Sequence, residues 1–529
     1  MTEAADRLFV NGEVHTLASP DETHEAVAVR DGAIVRLDST REVRFLEGVD
    51  TDVVDLDGRV LLPGFIDAHT HLTTVGRYLV HADLSTADSP DEAVDLLADR
   101  ATELEADAAE SGGEPAPDDP VLGYGYDEST WEEERYLTRD DLDRVSMERP
   151  VAAFREDMHV AAVNGVALDR FADALAAAPD ETVPTDEDGE PTGVLLESAI
   201  DPIYEAFESG PAETRDIVEA ALADCAAKGI TGFHDMVRNS HAPRAYRELD
   251  AEGELTARIR INYWSDHLDA LREVGLGTND GTEMVEAGAI KSYTDGSFGG
   301  RTARLSEPYA DAPDERGQWV VDPDELAETV TAATEAGYQF TAHAIGDEAV
   351  DAVLDAYEDA SHTDPEAARH RVDHVELAAD AAIERLAESG TVASVQPNFL
   401  KWAGEDGRYD ARLGPDRTLA TNRYRDMLDA GVRLAFGSDG MPMDPLLGVH
   451  HAVTARGEAQ RLTVTEALRA YTRGAAYAGF DEDRLGTVAV GKRADLVALD
   501  ASPWERPDEI RDIDPVLTVV DGEVVYDGR

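Results

Sequence analysis

Residues 60–72 read VLLPGFIDAHTHL, a mostly apolar run that closes on His69, Thr70 and His71. Successive side chains of a strand alternate faces, so His69 and His71 project to one side and can reach one metal ion. A lone His-x-His pair is weak, but Pro63 and Gly64 introduce it and it closes a strongly apolar strand. Outward from it, comparable β-rich runs recur between helical stretches: GITGFHDM (229–236), ARIRINYW (257–264), AGAIKSYTDG (287–296), YQFTAHAIGD (338–347), HRVDHVEL (370–377), TVASVQPNF (391–399) and VRLAFGSDG (432–440). With the first run they make the eight strands a closed α/β barrel needs, and the alternation predicts parallel βαβ units. The expected fold is a (β/α)8 TIM-like barrel.

Most of these runs end in a polar or ionisable residue: His71, Asp235, Asp295, His343, His374, Gln396 and Asp439. Barrels of this kind carry their chemistry at the C-terminal ends of the strands. Each residue alone reads as structural, a satisfied core histidine or a helix-capping aspartate. Their recurrence at the same end of successive strands points instead to a ligand set of imidazole and carboxylate, which suits zinc and similar divalent ions.

Lys291 sharpens that reading. The chain has four lysines, Lys228, Lys291, Lys401 and Lys492, and one of them sits inside an apolar strand. A buried ammonium is costly unless paired or converted, and two nearby cations would favour the neutral amine. Such an amine adds CO2 to give an anionic carbamate able to bridge two metals. The alternative is a lysine salt-bridged to a buried aspartate such as Asp295.

The ends of the chain lie outside the barrel pattern. Residues 1–60 (RLFVNGEVHTL, EAVAVRDGAIVRL) and 480–529 (ADLVALD, VLTVVDGEVVYDG) read as short strands with turns, expected to pair into one small β-sandwich. The barrel then spans 61–479, and a large insertion after its first strand, an inserted subdomain at about 110–210, is Asp-, Pro- and Gly-rich. Long insertions of this kind are usually functional or disordered, and this one is expected to cover the active-site mouth.

Composition bounds the function classes. Asp and Glu number 112 against 46 Lys and Arg, a formal net charge of −66 spread from end to end, as in DEAVDLLADR and TDEDGEPTG. An interaction tail would concentrate like charges in one block. This is a halophilic composition, a carboxylate surface of the kind that keeps proteins soluble in concentrated salt, and it repels nucleic acid. No apolar run nears the roughly 18 residues that span a bilayer, so no membrane partner is expected. No signal-peptide pattern opens the chain, and Cys225 is the single cysteine. A cytoplasmic protein is expected, with a small-molecule substrate and a homodimer as the open question of assembly.

Together the motifs PGFIDAHTHL, GYGYDESTW, DMHVAAVN, GEPTGVLLE, GITGFHDM, KSYTDGSFGGRTA, HAIGD, VDHVE, FGSDGMP and GTVAVGKRADLVALD resemble the amidohydrolase superfamily. More narrowly they resemble its type-3 branch, which includes N-substituted formamide deformylase. The resemblance runs through nearly the whole chain. It implies metal ligation by His69, His71, carboxylated Lys291, His343, His374 and Asp439, with two zinc ions bridged by the carbamate. It also implies hydrolysis of a carbon–nitrogen bond other than a peptide bond by metal-activated water, with Asp439 as general base and then general acid. Tyr126 departs from the pattern, standing where tryptophan is expected, which bears on the shape of the pocket. Within the insertion His159 is a candidate to hydrogen-bond the substrate carbonyl, and Tyr126, Asp127 and Trp131 either line a substrate pocket or pack it. Asp295 and Arg301 are further substrate-binding candidates, Arg301 for an anionic group or else for a structural ion pair. His234 is expected behind the ligands. Two rivals stand beside amide hydrolysis: an ester, lactone or cyclic amide on the same centre, and a non-catalytic regulatory barrel, which loss of a ligand would mark.

Overall fold

The computed structural model describes residues 3–110, 119–156, 158–360 and 368–529. Part of the expected insertion, residues 111–118, therefore lies outside the described residues. Contacts divide the chain into two units, Met1–Leu72 with Leu222–Arg529, and Thr73–Ala221.

The first unit is built on eight parallel strands: β1 (Phe65–Thr70), β2 (Ile230–Val237), β3 (Arg258–Trp264), β4 (Val285–Tyr293), β5 (Phe340–Ala344), β6 (Arg371–His374), β7 (Val392–Val395) and β8 (Arg433–Phe436). They hydrogen-bond in sequence order from β1 to β8, each joined to the next by a crossover, as parallel neighbours must be. Every residue of β1, β2, β5, β6 and β7 is buried. These strands face a packed interior on one side and helices on the other, hence their near-continuous apolar runs. All eight expected strands are present, and the fold is a TIM-like barrel.

The barrel closes between β8 and β1 through the Asp67 carboxylate and a backbone hydrogen bond. Oδ1 of Asp67, in β1, accepts from the backbone N–H of His69 and of Ser438, each at 3.0 Å. The N–H of Asp439 donates to the carbonyl of His69 at 2.8 Å. Gly437 permits this approach, since a Cβ there would lie 2.5 Å from the His69 nitrogen. The same contacts set the end of β8 beside His69.

Both chain ends add antiparallel and mixed sheet to this unit. A four-stranded sheet runs Ala33–Asp38, Ala26–Arg30, Arg7–Val10, Asp52–Asp55, and a six-stranded sheet takes Thr23–His24, Glu13–His15 and Val60–Pro63 from the N-terminal part with Leu496–Leu499, Pro515–Val520 and Glu523–Asp527 from the C-terminal part. Phe9, Val27 and Ile34 of the first sheet and Leu61, Leu496 and Val519 of the second bury into one cluster. The second unit has its own five-stranded sheet, from Val194–Leu196 to Ala82–Asp83, with separate apolar clusters on its two faces.

Candidate metal centre

Strand alternation and two backbone reversals bring the ionisable residues of the barrel to one point. His69 is the next-to-last residue of β1, and His71 follows the strand by one position. Their Nε2 atoms each lie 3.4 Å from Oδ1 of Asp439. Lys291 projects inward from β4, and His343 and His374 come from β5 and β6. The His374 ring centroid lies 5.0 Å from that of His69 and 4.4 Å from that of His343. Asp439 and His374 both have left-handed backbones, with φ of 58° and 74°. Non-glycine residues are uncommon there, and such strain gathers at functional sites.

Ligand atoms of His69, His374 and Asp439 all lie within 4.8 Å of one another, the one such group of three found among the described residues. Metal–ligand bonds of about 2.0–2.2 Å at a tetrahedral angle put two ligand atoms roughly 3.4 Å apart, the separation seen from Asp439 to both histidines. Burial drives His71 down to about 4 and His343 to about 3, and holds His374 well below the usual imidazole range. Three of the four rings are thus neutral near pH 7, the form that ligates a cation. Nδ1 of His374 is buried without a hydrogen-bond partner, unusual for a buried polar atom. Burial raises Asp439, but the hydrogen bond from His69 and the charge of that ring more than offset it, leaving a carboxylate of lowered pKa. The donor set fits a divalent cation.

Below these ligands lies a charge network that the sequence reading does not single out. Nζ of Lys291 donates to Oδ2 of Asp373 at 2.5 Å, and Oδ1 of Asp373 lies 3.3 Å from Nδ1 of His69. The salt-bridge alternative for Lys291 named Asp295; the partner is Asp373. Arg371 is wholly buried and donates to Nδ1 of His234 at 2.8 Å, to Oγ of Ser394 at 2.8 Å and to Asp373 at 3.4 Å, with a further bond to the carbonyl of Ala68. This guanidinium therefore joins β6 to β1, β2 and β7 directly under the ligands. Arg371 and Asp373 sit two apart in β6, so strand alternation applied to HRVDHVEL puts them on one face. His374, the more conspicuous ligand type in that motif, falls on the other face by the same rule, and it shares their neighbourhood only through its reversed φ. His234 lies behind the ligands, as expected.

Several candidates are committed elsewhere. Asp295 accepts backbone N–H groups from Arg304, Ile345 and Gly346 at 2.8, 3.0 and 2.8 Å, which ties the loop after β4 to the end of β5. Its carboxyl lies 3.5 Å from Nε2 of His343, and burial pushes it up to about 7. Arg301 pairs with Asp311 at 2.8 Å, the structural ion pair that was the other reading of this residue. In the second unit Tyr126 and Trp131 stack with ring centroids 5.6 Å apart inside that unit's own core. The Trp131 indole donates to the carbonyl of Ala87 at 2.8 Å, and Asp127 accepts from Ser129 and pairs with Arg155. His159 is exposed on that unit, with Nδ1 2.9 Å from Glu197.

Comparison with known proteins agrees with this geometry. Residues 52–526 match the amidohydrolase family model. The Bacillus subtilis (strain 168) protein YtcJ is 32% identical, across 98% of this chain and 99% of its own. N-substituted formamide deformylase from Arthrobacter pascens is 27% identical, across 100% of this chain and 99% of its own. Among solved structures, an uncharacterized metal-dependent hydrolase from Pyrococcus furiosus superposes with a TM-score of 0.78 at 29% identity, covering 94% of this chain and 99% of that one. The chain belongs to the amidohydrolase family and is a hydrolase acting on carbon–nitrogen bonds.

Proposed function

We propose that the enzyme hydrolyses an amide, of a kind with N-substituted formamides, at a centre of two zinc ions. His69, His71, His343, His374, Asp439 and a carboxylated Lys291 would hold the ions. The observation that carries this reading is the convergence of His69, His374 and Asp439 on one point, with His71 against the same Asp439 oxygen. When bound, the metal supplies Lewis acidity that activates water near neutral pH and polarises the scissile carbonyl.

Asp439 is the base of the reaction. Its lowered pKa keeps it a carboxylate at neutral pH, it takes the proton of the attacking water, and it returns that proton to the departing amine. His69 and His71 flank its Oδ1 and hold the carboxylate in place. Arg371 and Asp373 form the rigid floor on which Lys291 and His69 are oriented. Asp295 and Arg301 fix the loop after β4, which borders the substrate site, and Tyr126, Asp127 and Trp131 shape the insertion. The assignment of His159 to the substrate carbonyl rests on the motif resemblance. The proposal extends to a sandwich of the two terminal sheets, and to a cytoplasm rich in salt to which the −66 chain is adapted.

The test is metal analysis followed by a substrate screen. Protein purified without chelator should carry close to two equivalents of metal. Metal-loaded protein is then assayed against N-formyl, N-acyl, cyclic-amide and ester libraries. A metal-free protein that gains no activity on loading would sink the reading, and turnover confined to esters or lactones would move the substrate class.

A further inference from the structure

Behind β8, on the side of the barrel opposite the ligands, the first unit has a cleft of about 890 Å³. That volume is in the range of small-molecule sites. Arg433 opens β8 at its N-terminal end, whereas Asp439 follows its C-terminal end. Six residues at about 3.3 Å each put up to about 20 Å between them. The cleft is distinct from the metal centre.

Its charge inverts that of the protein. The whole chain carries 46 basic against 112 acidic side chains, yet this cleft is lined by Arg425, Arg433, Arg469 and Arg473 against Asp429, Glu466 and Glu482. The carboxylates are largely spent. Glu482 takes Arg369 through two bonds of 2.6 and 2.8 Å, and Glu466 takes Arg425 at 2.7 Å. Asp429 alone is loosely held, 3.7 Å from Arg425.

The other three guanidiniums have no carboxylate within ion-pair distance among the described residues. Arg469 is fixed by donating to the backbone carbonyls of Leu17 and Ala18. Arg433 is exposed and lies over the Tyr477 ring at 4.1 Å, while Arg369 lies over the same ring at 4.0 Å. Arg473 is exposed at the cleft wall. Burial first, and the charge of Arg473 next, lower the neighbouring Lys492, so the Arg473 charge is felt locally. The backbone carrying Arg473 is also irregular. Residues Ala470–Gly474 form a π-helical turn, a feature frequent at functional sites. Gly474 lets this turn sit directly on β8, since a Cβ there would lie 2.0 Å from the carbonyl oxygen of Leu434.

We propose that this cleft binds a small multivalent oxyanion, a phosphate group or a cluster of carboxylates, held by Arg433, Arg469 and Arg473. Guanidiniums present paired donors that match such oxygens two at a time. In a protein so acidic, a cleft lined by arginines without carboxylate partners is a surface to which such an anion would be drawn. The ligand would be either free phosphate chemistry or a tricarboxylate.

Isothermal titration of the metal-loaded protein with inorganic phosphate, and separately with tricarballylate, tests this, with chloride at matched ionic strength as the reference. Saturable one-to-one binding of either anion is expected, and whichever binds tighter identifies the class. Arg473→Gln and Arg433→Gln should each weaken it about tenfold, the loss of roughly one charge-assisted hydrogen bond. The Arg473 side chain stands exposed at the cleft wall, so Arg473→Gln should fold normally and keep the result readable. The metal content of both variants should equal that of the wild type. Binding that survives both substitutions would place the anion at the metal centre and overturn the proposal, as would heats no larger than those of chloride.

Discussion

The floor of the metal centre offers the sharpest energetic prediction. In the metal-free protein, with Lys291 uncarboxylated, Asp373 is wholly buried and faces two buried cations, Lys291 at 2.5 Å and Arg371 at 3.4 Å. Replacing it by asparagine preserves shape but leaves both charges without a counter-ion. Removing one partner of a buried pair costs about 3–5 kcal/mol, against roughly 0–1 kcal/mol for an exposed pair. The amide oxygen of the asparagine still accepts from Lys291, which puts Asp373→Asn nearer the lower figure of the buried range. The measurement is urea unfolding of metal-free protein, followed by tryptophan fluorescence, four of the five tryptophans lying in the barrel unit. Metal-free protein matters, because a bound cation would add its own stabilisation. The pH dependence supplies a second check. Burial raises Asp373, but Lys291, His69 and Arg371 outweigh it and hold the carboxyl well below its ordinary value. A group depressed in the folded state stabilises above its unfolded pKa, near 3.9, and loses that contribution only as pH falls through the lower folded value. The gap between wild type and variant should therefore be fully present at about pH 5 and narrow only in part as pH rises through neutrality, where His69, raised by the same carboxylate, loses its proton. A loss below about 1 kcal/mol at pH 5, or a gap that closes as pH falls from 7 to 5, would show that Asp373 is not the counter-ion of this floor.

Three further outcomes follow from the proposed chemistry and the composition. Asp439→Asn should fold and lose about 10²–10⁴-fold in turnover, since an amide cannot shuttle the proton; a variant keeping more than half of wild-type activity removes Asp439 from the mechanism. Lys291→Ala should lose metal and activity, with partial recovery in concentrated formate or acetate plus excess metal, whereas Lys291→Arg should not recover because its guanidinium stays protonated. Full metal content and normal turnover in Lys291→Ala would make the bridging carbamate untenable. Finally, the melting temperature should climb between about 0.1 and 2 M KCl, because the screening length falls from about 10 Å to about 3 Å at 1 M and relieves self-repulsion at −66. A flat profile would count against adaptation to salt.

Much of this protein is legible in its sequence because strand periodicity is local. Eight apolar runs set the barrel, and the i, i+2 rule puts His69 and His71 on one side of β1 without knowledge of any other strand. Lys291 was conspicuous from its place inside an apolar strand and from the scarcity of lysine. What tertiary structure decided were the partnerships. Lys291 could have met any buried carboxylate inside the barrel, and strand packing rather than sequence distance gave it Asp373, two strands away, and left Asp295 to three backbone N–H groups. His374 was recognisable as a ligand type, but its position beside His69 depends on a left-handed φ of 74° that no local preference of histidine dictates. Closure through Asp67 and Gly437 likewise joins residues some 370 apart in sequence. Periodicity specifies which face a side chain takes; the neighbour it meets there is settled only when all eight strands pack.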